Sequence, residues 1–316
     1  MVLQSISADG ERAAPKRKGR IMRHPVVLLA AATIAAAVSV PALAQNRPAI
    51  ETTKIEGTDN VYIFRNVNHQ SMFIVTNDGV IATDPIAYGR PTGGQAYVDE
   101  IKKVTDKPIK YLIYSHHHYD HIAGGKAFKD AGARIIAHKR VTERLTPLGD
   151  PNTILPDETF DTNKTVALGG TTLELRYLGL NHSDSNIVMW LPKEKLIFLV
   201  DTIPVGSVPG LGMIDFYPLE AEQFIAKVLA MDWERMIPGH PGQPNGRLGT
   251  KKDAQDILTL LQEASAEMKR LGQQEAKCWA DAEKEFKLPK YADWPGYQNG
   301  LPLIARRYCA LWGRGT

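Results

Sequence analysis

"YLIYSHHHYDHIAGGKAF", residues 111–128, places His116, His117, His118, Asp120 and His121 within six positions, directly after an apolar run. Clustered imidazoles repel protons and waste apolar packing, so the cluster needs a ligand to justify it. The spacing is H-x-H-x-D-H, followed by "IAGG". Imidazole and carboxylate together are a donor set for Zn²⁺. In a loop leaving a strand, His116 and His118 can point one way while Asp120 and His121 turn to a second position nearby. One loop then begins two metal sites and completes neither. The missing ligands are expected at later strand ends: His182 in "GLNHSDSN", Asp201 in "FLVDTIP" and His240 in "IPGHPG". Five of the nine histidines fall in this one constellation.

Outward from the loop, strand and helix alternate. "IKYLIYS" (109–115) is nearly continuous in apolar residues, the kind of strand buried on both faces. "VYIF", "SMFIVT" and "GVIATDP" precede it, with an Asn-Asp-Gly turn in "TNDGV" and helical spacing over 93–106 at Tyr97, Ile101 and Val104. A short helix in "GGKAFKDAG" and a strand over 133–138 follow. The second half repeats this logic. One hairpin turns at Gly169-Gly170 and another, 185–202, at Pro192-Lys193; an amphipathic helix over 218–232 then leads to a strand in "WERMIPGH". From Thr250 to Leu271 the apolar period is 3.6, with Thr250 to cap the helix and Gly272 to end it. "WADAEKEF" and "LIARRYCALW" read as further helices. Two mixed halves of this kind predict an α/β fold: two packed sheets with helices outside, a four-layer αββα sandwich with extra C-terminal helices.

The first 44 residues differ from the rest. "APKRKGRIMRHP" is basic, "VVLLAAATIAAAVSV" (26–40) is apolar but shorter than a membrane span, and "PALAQ" offers an A-x-A cleavage site. Residues 1–44 therefore read as a secretory signal peptide, with Met22 an alternative start and a periplasmic or secreted mature protein. Residues 45–249 read as the catalytic domain and 250–316 as a helical extension packed on it. Without the leader, Lys+Arg fall from 38 to 32 and Asp+Glu from 35 to 33, a net charge of −1. The basic balance belongs to the leader, so no nucleic-acid partner is expected, nor a membrane partner after cleavage. Cys278 and Cys309 pair as one disulfide or stand as separate buried thiols. The C-terminal helices could cover a sheet, line the pocket entrance or form a homodimer interface.

The sequence resembles the metallo-β-lactamase superfamily over roughly Val61 to Gly242, through its HxHxDH motif and the later His, Asp and His in order. That resemblance implies the same αββα sandwich with a dinuclear zinc site between the sheets. His116, His118 and His182 would bind the first metal; Asp120, His121 and His240 the second; Asp201 would bridge them. "NHSDSNIVMWLPKEKLIFLVD" looks much like the corresponding segment of the subclass B1 and B2 β-lactamases, which place a metal-binding cysteine where this chain has Asp201. Three residues on, where B1 enzymes commonly carry a carboxylate-gripping lysine, stands Pro204. The resemblance implies an exported hydrolase using metal-bound hydroxide, two Zn²⁺ per chain and catalytic Asp120 on a small-molecule lactam, lactone, ester or thioester. Hydrolytic dehalogenation of an activated aromatic ring is a second reading. A persulfide-dioxygenase-like oxidoreductase with one iron is a third.

Other polar residues carry weaker expectations. Asp84, at the end of "GVIATD", resembles a family aspartate that braces the histidine loop. Ser185 and Asn186 are expected to brace His182. His69, in "NVNHQS", is read by default as an exposed loop histidine, with substrate contact as the functional alternative. His117 and His138 read as structural, and Tyr119 as packing or pocket lining.

Overall fold

Near-continuous apolar runs in the central strands build a core on both sides of each sheet. The computed structural model describes residues 48–272 and 284–316. The leader at 1–44, Cys278 and most of "WADAEKEF" lie outside the described residues. Strands β1 (Ile50–Lys54), β2 (Val61–Asn66), β3 (His69–Val75), β4 (Val80–Thr83), β5 (Ile109–Ile113), β6 (Arg134–His138) and β7 (Glu158–Phe160) form one sheet in chain order. Strands β8 (Asn163–Leu168), β9 (Thr171–Arg176), β10 (Val188–Leu191), β11 (Leu196–Leu199) and β12 (Arg235–Pro238) form a second, ordered β12-β11-β10-β9-β8. β1 to β4 pair antiparallel, whereas β4 to β7, and β11 with β12, pair parallel.

The side-chain period of two sorts each strand into opposite layers. Met72, Ile74, Ile81 and Ile113 of the first sheet meet Met189, Leu191, Leu196 and Phe198 of the second in the inter-sheet core. Phe73, Val80, Ala82 and Leu112 face the other way, against helices α1 (Gly93–Val104), α3 (Gly125–Asp130) and α4 (Lys139–Leu145). Val188, Ile197 and Leu199 pack against α5 (Pro218–Ala230), α6 (Lys251–Leu271) and α7 (Tyr297–Arg314). A one-turn helix, α2 (Tyr119–Ile122), carries the second half of the histidine motif. This is the expected four-layer αββα arrangement.

All three expected turns form, and two of them touch: Gly169-Gly170 and the Asn-Asp-Gly turn between β3 and β4. Gly169 sits at φ +51° with its Cα against the β3–β4 turn, where a Cβ would lie 2.5 Å from the backbone nitrogens of Asn77 and Asp78. The Asn77 N–H donates to the Gly169 carbonyl at 3.2 Å, tying the two sheets at the end away from the histidines. The sequence reading missed β1, β7 and α4, which are short and carry few periodic apolar residues. Buried Cys309 is disulfide-bonded. Among the described residues no helix is long and apolar enough to cross a membrane.

α6 runs from Thr250 to Gly272 as expected, and its start is held by polar contacts. The Asp253 carboxylate accepts from the Thr250 N–H at 2.9 Å, from its hydroxyl at 2.8 Å and from Arg247. Loss of such a cap typically costs about 1 kcal/mol. Asp253→Ala is therefore expected to lower the denaturant midpoint by an amount equivalent to about 1 kcal/mol or more. Lys252→Ala, one residue earlier on the exposed face, should leave the midpoint unchanged.

Candidate metal centre

Strands that end at the same edge bring distant loops together. Asp84 follows β4, the histidine loop follows β5, Asp201 follows β11 and His240 follows β12. All four strands run in the direction that delivers their C-terminal ends to one edge of the sandwich, the usual place for a site in parallel sheets. β3 runs antiparallel to β4, so its first residue, His69, arrives at that same edge. The Gln70 N–H donates to the Gly239 carbonyl at 2.8 Å and its side-chain amide to the Pro238 carbonyl at 2.8 Å. These bonds close the two sheets against each other directly beneath the histidines.

Two groups of donor atoms result. His116, His118, His182 and Asp201 form one; His69, Asp120, His121 and His240 form the other, with the donors of each group within 4.8 Å of one another. Asp201 stands between them. Its Oδ2 lies 3.4 Å from His182 Nε2, 4.0 Å from His116 Nε2 and 3.1 Å from His121 Nε2. Its Oδ1 lies 3.2 Å from His240 Nε2. The seven residues to which the loop motif, the strand ends and the family resemblance together point do meet. His69 is added to them: it is 7% exposed, its Nε2 lies 3.2 Å from Asp120 Oδ2, and its ring centroid is 4.4 Å from that of His240. The default reading of His69 as an exposed loop histidine is thereby corrected. Val67 and Asn68 form a tight turn, and β3 draws the imidazole inside.

The donor set and the burial suit a divalent cation. Buried His116 Nε2 has no hydrogen-bond partner among the described residues and lies 4.0 Å from Asp201 Oδ2, a costly state that a bound cation would relieve. Gly239 lets the backbone approach: a Cβ there would lie 2.6 Å from Val200 Cγ1 and 3.1 Å from His121 Cε1. Asp201 itself holds φ +61°, a left-handed conformation uncommon outside glycine, locked by the 2.7 Å bond from the Thr202 N–H to the Val200 carbonyl.

Supporting contacts orient His116, His118 and His240 through the other ring nitrogen. His116 Nδ1 meets Ser115 Oγ at 2.8 Å, and the Ser115 N–H donates to Asp84 Oδ1 at 2.8 Å. His118 Nε2 meets Asp215 Oδ2 at 2.7 Å, which turns its Nδ1 to within 2.9 Å of His182 Nε2. His240 Nδ1 meets the Asn68 carbonyl at 2.7 Å. Asp84 braces the loop as expected, and lies 4.0 Å from His121 Nδ1. Asn186 acts through the backbone: its amide donates to the Val200 carbonyl at 2.8 Å and to Asn181 Oδ1 at 3.0 Å, while Asn181 Oδ1 accepts from the His182 N–H at 2.6 Å. The expected Ser185–His182 contact is not made; Ser185 Oγ instead accepts from the His117 N–H at 3.1 Å and meets His117 Nδ1 at 2.8 Å. His117 is thus structural, although it stands beside His118 and Asp215. His138 caps α4, and its Nε2 meets the Asp161 carbonyl at 2.7 Å. Asp215 and Asn68 were missed because both lie in irregular loops without a motif.

Electrostatics divide the donors. Burial would lower His121 and His240, but Asp201 outweighs it, raising His240 and lifting His121 to about 9. A cation must therefore displace their protons, whereas His116 and His182 are held low. Burial, reinforced by neighbouring histidines, holds His116 well below the ordinary imidazole value. Burial likewise brings His182 down to about 4, so both are neutral with lone pairs at neutral pH. Burial alone would raise Asp201, but His121 and His240 outweigh it and hold the carboxyl well below the usual range. Burial likewise opposes ionisation of Asp120, yet the neighbouring His69 and His121 rings bring it down to about 2. Asp84 goes the other way: burial lifts it to about 6 against the pull of His121 and Ser115. Folded protein then binds the Asp84 proton more tightly than unfolded chain, so this group's contribution to stability falls as pH rises from about 4 to about 6. In metal-stripped protein, the denaturant midpoint of Asp84→Asn should gain on wild type across that interval. A pH-independent difference would contradict the burial of the charge.

The sequence profile of the "Metallo-beta-lactamase superfamily" matches residues 67–244. A "2,4-dinitroanisole O-demethylase subunit alpha" of Nocardioides sp. is 25% identical over 195 residues, 61% of this chain and 58% of that protein. The chain thus spans less than two thirds of that relative. A "Metallo-beta-lactamase type 2" of Elizabethkingia meningoseptica is 26% identical over 207 residues, 62% of this chain and 75% of that protein. The solved structure of a metallo-beta-lactamase from Pontibacter korlensis superposes with a TM-score of 0.59 at 23% identity, covering 67% of this chain and 99% of that one, a likeness of fold. With its HxHxDH loop, its αββα layers and a profile match over more than half its length, the chain belongs to the metallo-β-lactamase superfamily.

Proposed function

We propose that the protein is an exported, zinc-dependent hydrolase of small molecules, acting on an uncharged lactam, lactone, ester or thioester. The observation that carries this reading is the pair of donor groups sharing Asp201 at the floor of an open cavity. Two zinc ions held there would supply a water-derived nucleophile near neutral pH and polarise the oxygen under attack. The protein's own part is positional. Asp120 lines the cavity, is ionised, and is fixed by His69, so it can take the proton released by the attacking water and return it to the leaving group. The Asp215–His118 and Ser115–His116 contacts hold ring orientation through the cycle.

The cavity wall indicates what binds. The cavity measures about 570 Å³, and the segment from Ile203 to Phe216 supplies most of one side. Leu211 and Ile214 in its lining are 76% and 72% exposed, extending an apolar wall that already holds Ile203, Val205, Val208 and Phe216. Among the described residues no lysine or arginine lines the cavity, and Pro204 stands where a carboxylate-gripping lysine would serve a β-lactam. Nearby guanidiniums are already engaged: Arg307 with the Phe216 and Thr316 carbonyls, Arg247 with Asp253, and Arg90 with the Ile86 carbonyl and Asn68. Away from the metal centre, a substrate carboxylate would meet Asp215 rather than a cationic side chain.

A second reading has a specific observation in its favour. The name of the Nocardioides relative points to 2,4-dinitroanisole, an uncharged aryl ether on an electron-poor ring. Displacement at such a ring, including loss of halide, needs the same nucleophile and the same apolar seat.

The test is a panel of nitrocefin, a γ-lactone, a p-nitrophenyl ester and a chlorinated aromatic nitrile. Turnover of at least one is expected from zinc-loaded protein, falling by about 100-fold or more in His118→Ala. Equal turnover in His118→Ala would contradict the assignment, and oxygen uptake by an iron-loaded form would replace it with the dioxygenase reading. Within a matched pair of esters, the neutral member should exceed its carboxylate analogue in kcat/KM by about tenfold, a gap that Pro204→Lys narrows. Preference for the carboxylate in wild type would overturn the claim of an uncharged substrate.

A further inference from the structure

His69 makes contacts that a structural histidine would not need. Asn68 Oδ1 lies 2.9 Å from its Nδ1 and also accepts from Arg90 at 3.2 Å. An oxygen with that pair of neighbours calls for an N–H on Nδ1, and a neutral imidazole then presents only a lone pair at Nε2. That lone pair lies 3.2 Å from Asp120 Oδ2. Two acceptors so close repel unless a cation sits between them. The rings of His121 and His240 stand at 5.2 and 4.4 Å from His69, and their donor atoms complete the same group of four. β3 fixes the imidazole at its first residue, and the Arg90 guanidinium, which donates to the Ile86 carbonyl at 3.1 Å, anchors Asn68.

We infer that His69 is itself a ligand, through Nε2, of the second metal position, which therefore carries three histidines, His69, His121 and His240, beside Asp120. The inference rests on the metal-dependent reading above and adds a ligand from β3 that the HxHxDH motif and the later His and Asp do not supply. Asn68 becomes the residue that sets its tautomer, in the way carboxamides and carboxylates set the rings of metal-bound histidines. A hydrogen-bonding rival exists: with the proton on Nε2, His69 would donate to Asp120, and Nδ1 would accept from Arg90 at 3.2 Å. The two arrangements differ in whether the Nε2 lone pair reaches the cation.

Cobalt(II)-loaded protein distinguishes them by proton NMR. Each metal-bound neutral histidine keeps one exchangeable N–H, which the paramagnetic ion shifts far outside the ordinary range. Wild type is expected to show six such resonances, from His69, His116, His118, His121, His182 and His240; five would overturn the inference. In His69→Gln one resonance should vanish, and competition with a chromophoric chelator should show the second equivalent bound about tenfold or more weakly, the first unchanged. A weaker second equivalent with the resonance set intact would assign His69 to positioning Asp120 and reject it as a ligand. Wild type that takes up no cobalt would refute the metal-dependent reading itself, an outcome distinct from the loss of His69 alone.

Discussion

The shared carboxylate of Asp201 is the constraint on which the centre depends. It touches donors from both groups, His182 and His121 through one oxygen and His240 through the other. To reach them all it must leave β11 at a left-handed backbone angle, with Gly239 kept bare beside it. The Asn186 amide holds that corner, joining the Val200 carbonyl to Asn181 and so to the His182 loop. Buried carboxylate and imidazoles are expensive to assemble without a partner charge, and their cost is offset when a cation binds. The apolar core on both sides of each sheet provides the stability that tolerates such a site.

The same arrangement joins fold to function. Parallel strands set the direction in which loops emerge, and the antiparallel β3 adds His69 from the opposite chain direction. The Gln70 contacts to Pro238 and Gly239 hold the two sheets in register at this edge, so neither donor group can drift from the other. The segment from Ile203 to Phe216 then turns over the centre. Gly212 in it comes so near His182 that a Cβ would lie 2.5 Å from the ring. Loop and ligand are therefore packed as one body, and changes of specificity would have to respect that contact.

Much of this was legible in the chain. The HxHxDH spacing selected His116, His118, Asp120 and His121, and strand-end position offered His182, Asp201 and His240, which the family resemblance then singled out. The two hairpins and α6 were marked by Gly-Gly, Pro-Lys and a Thr/Gly pair of caps. What was not legible depended on pairing. His69 looks like a loop residue until β3 is laid antiparallel beside β4, which puts the start of one strand at the end of the other. Asp215 and Asn68 lie in irregular segments, where proximity to His118 and His240 comes from the folded path alone. Ser185 was assigned to the wrong histidine for a similar reason: neighbours in sequence point to opposite sides of the loop.

Anomalous diffraction from crystals of the zinc-reconstituted protein tests the central claim most directly. The account predicts two metal peaks per chain, about 3.5–4 Å apart, with the Asp201 carboxylate between them. A single peak, or two peaks that do not share Asp201, would contradict it.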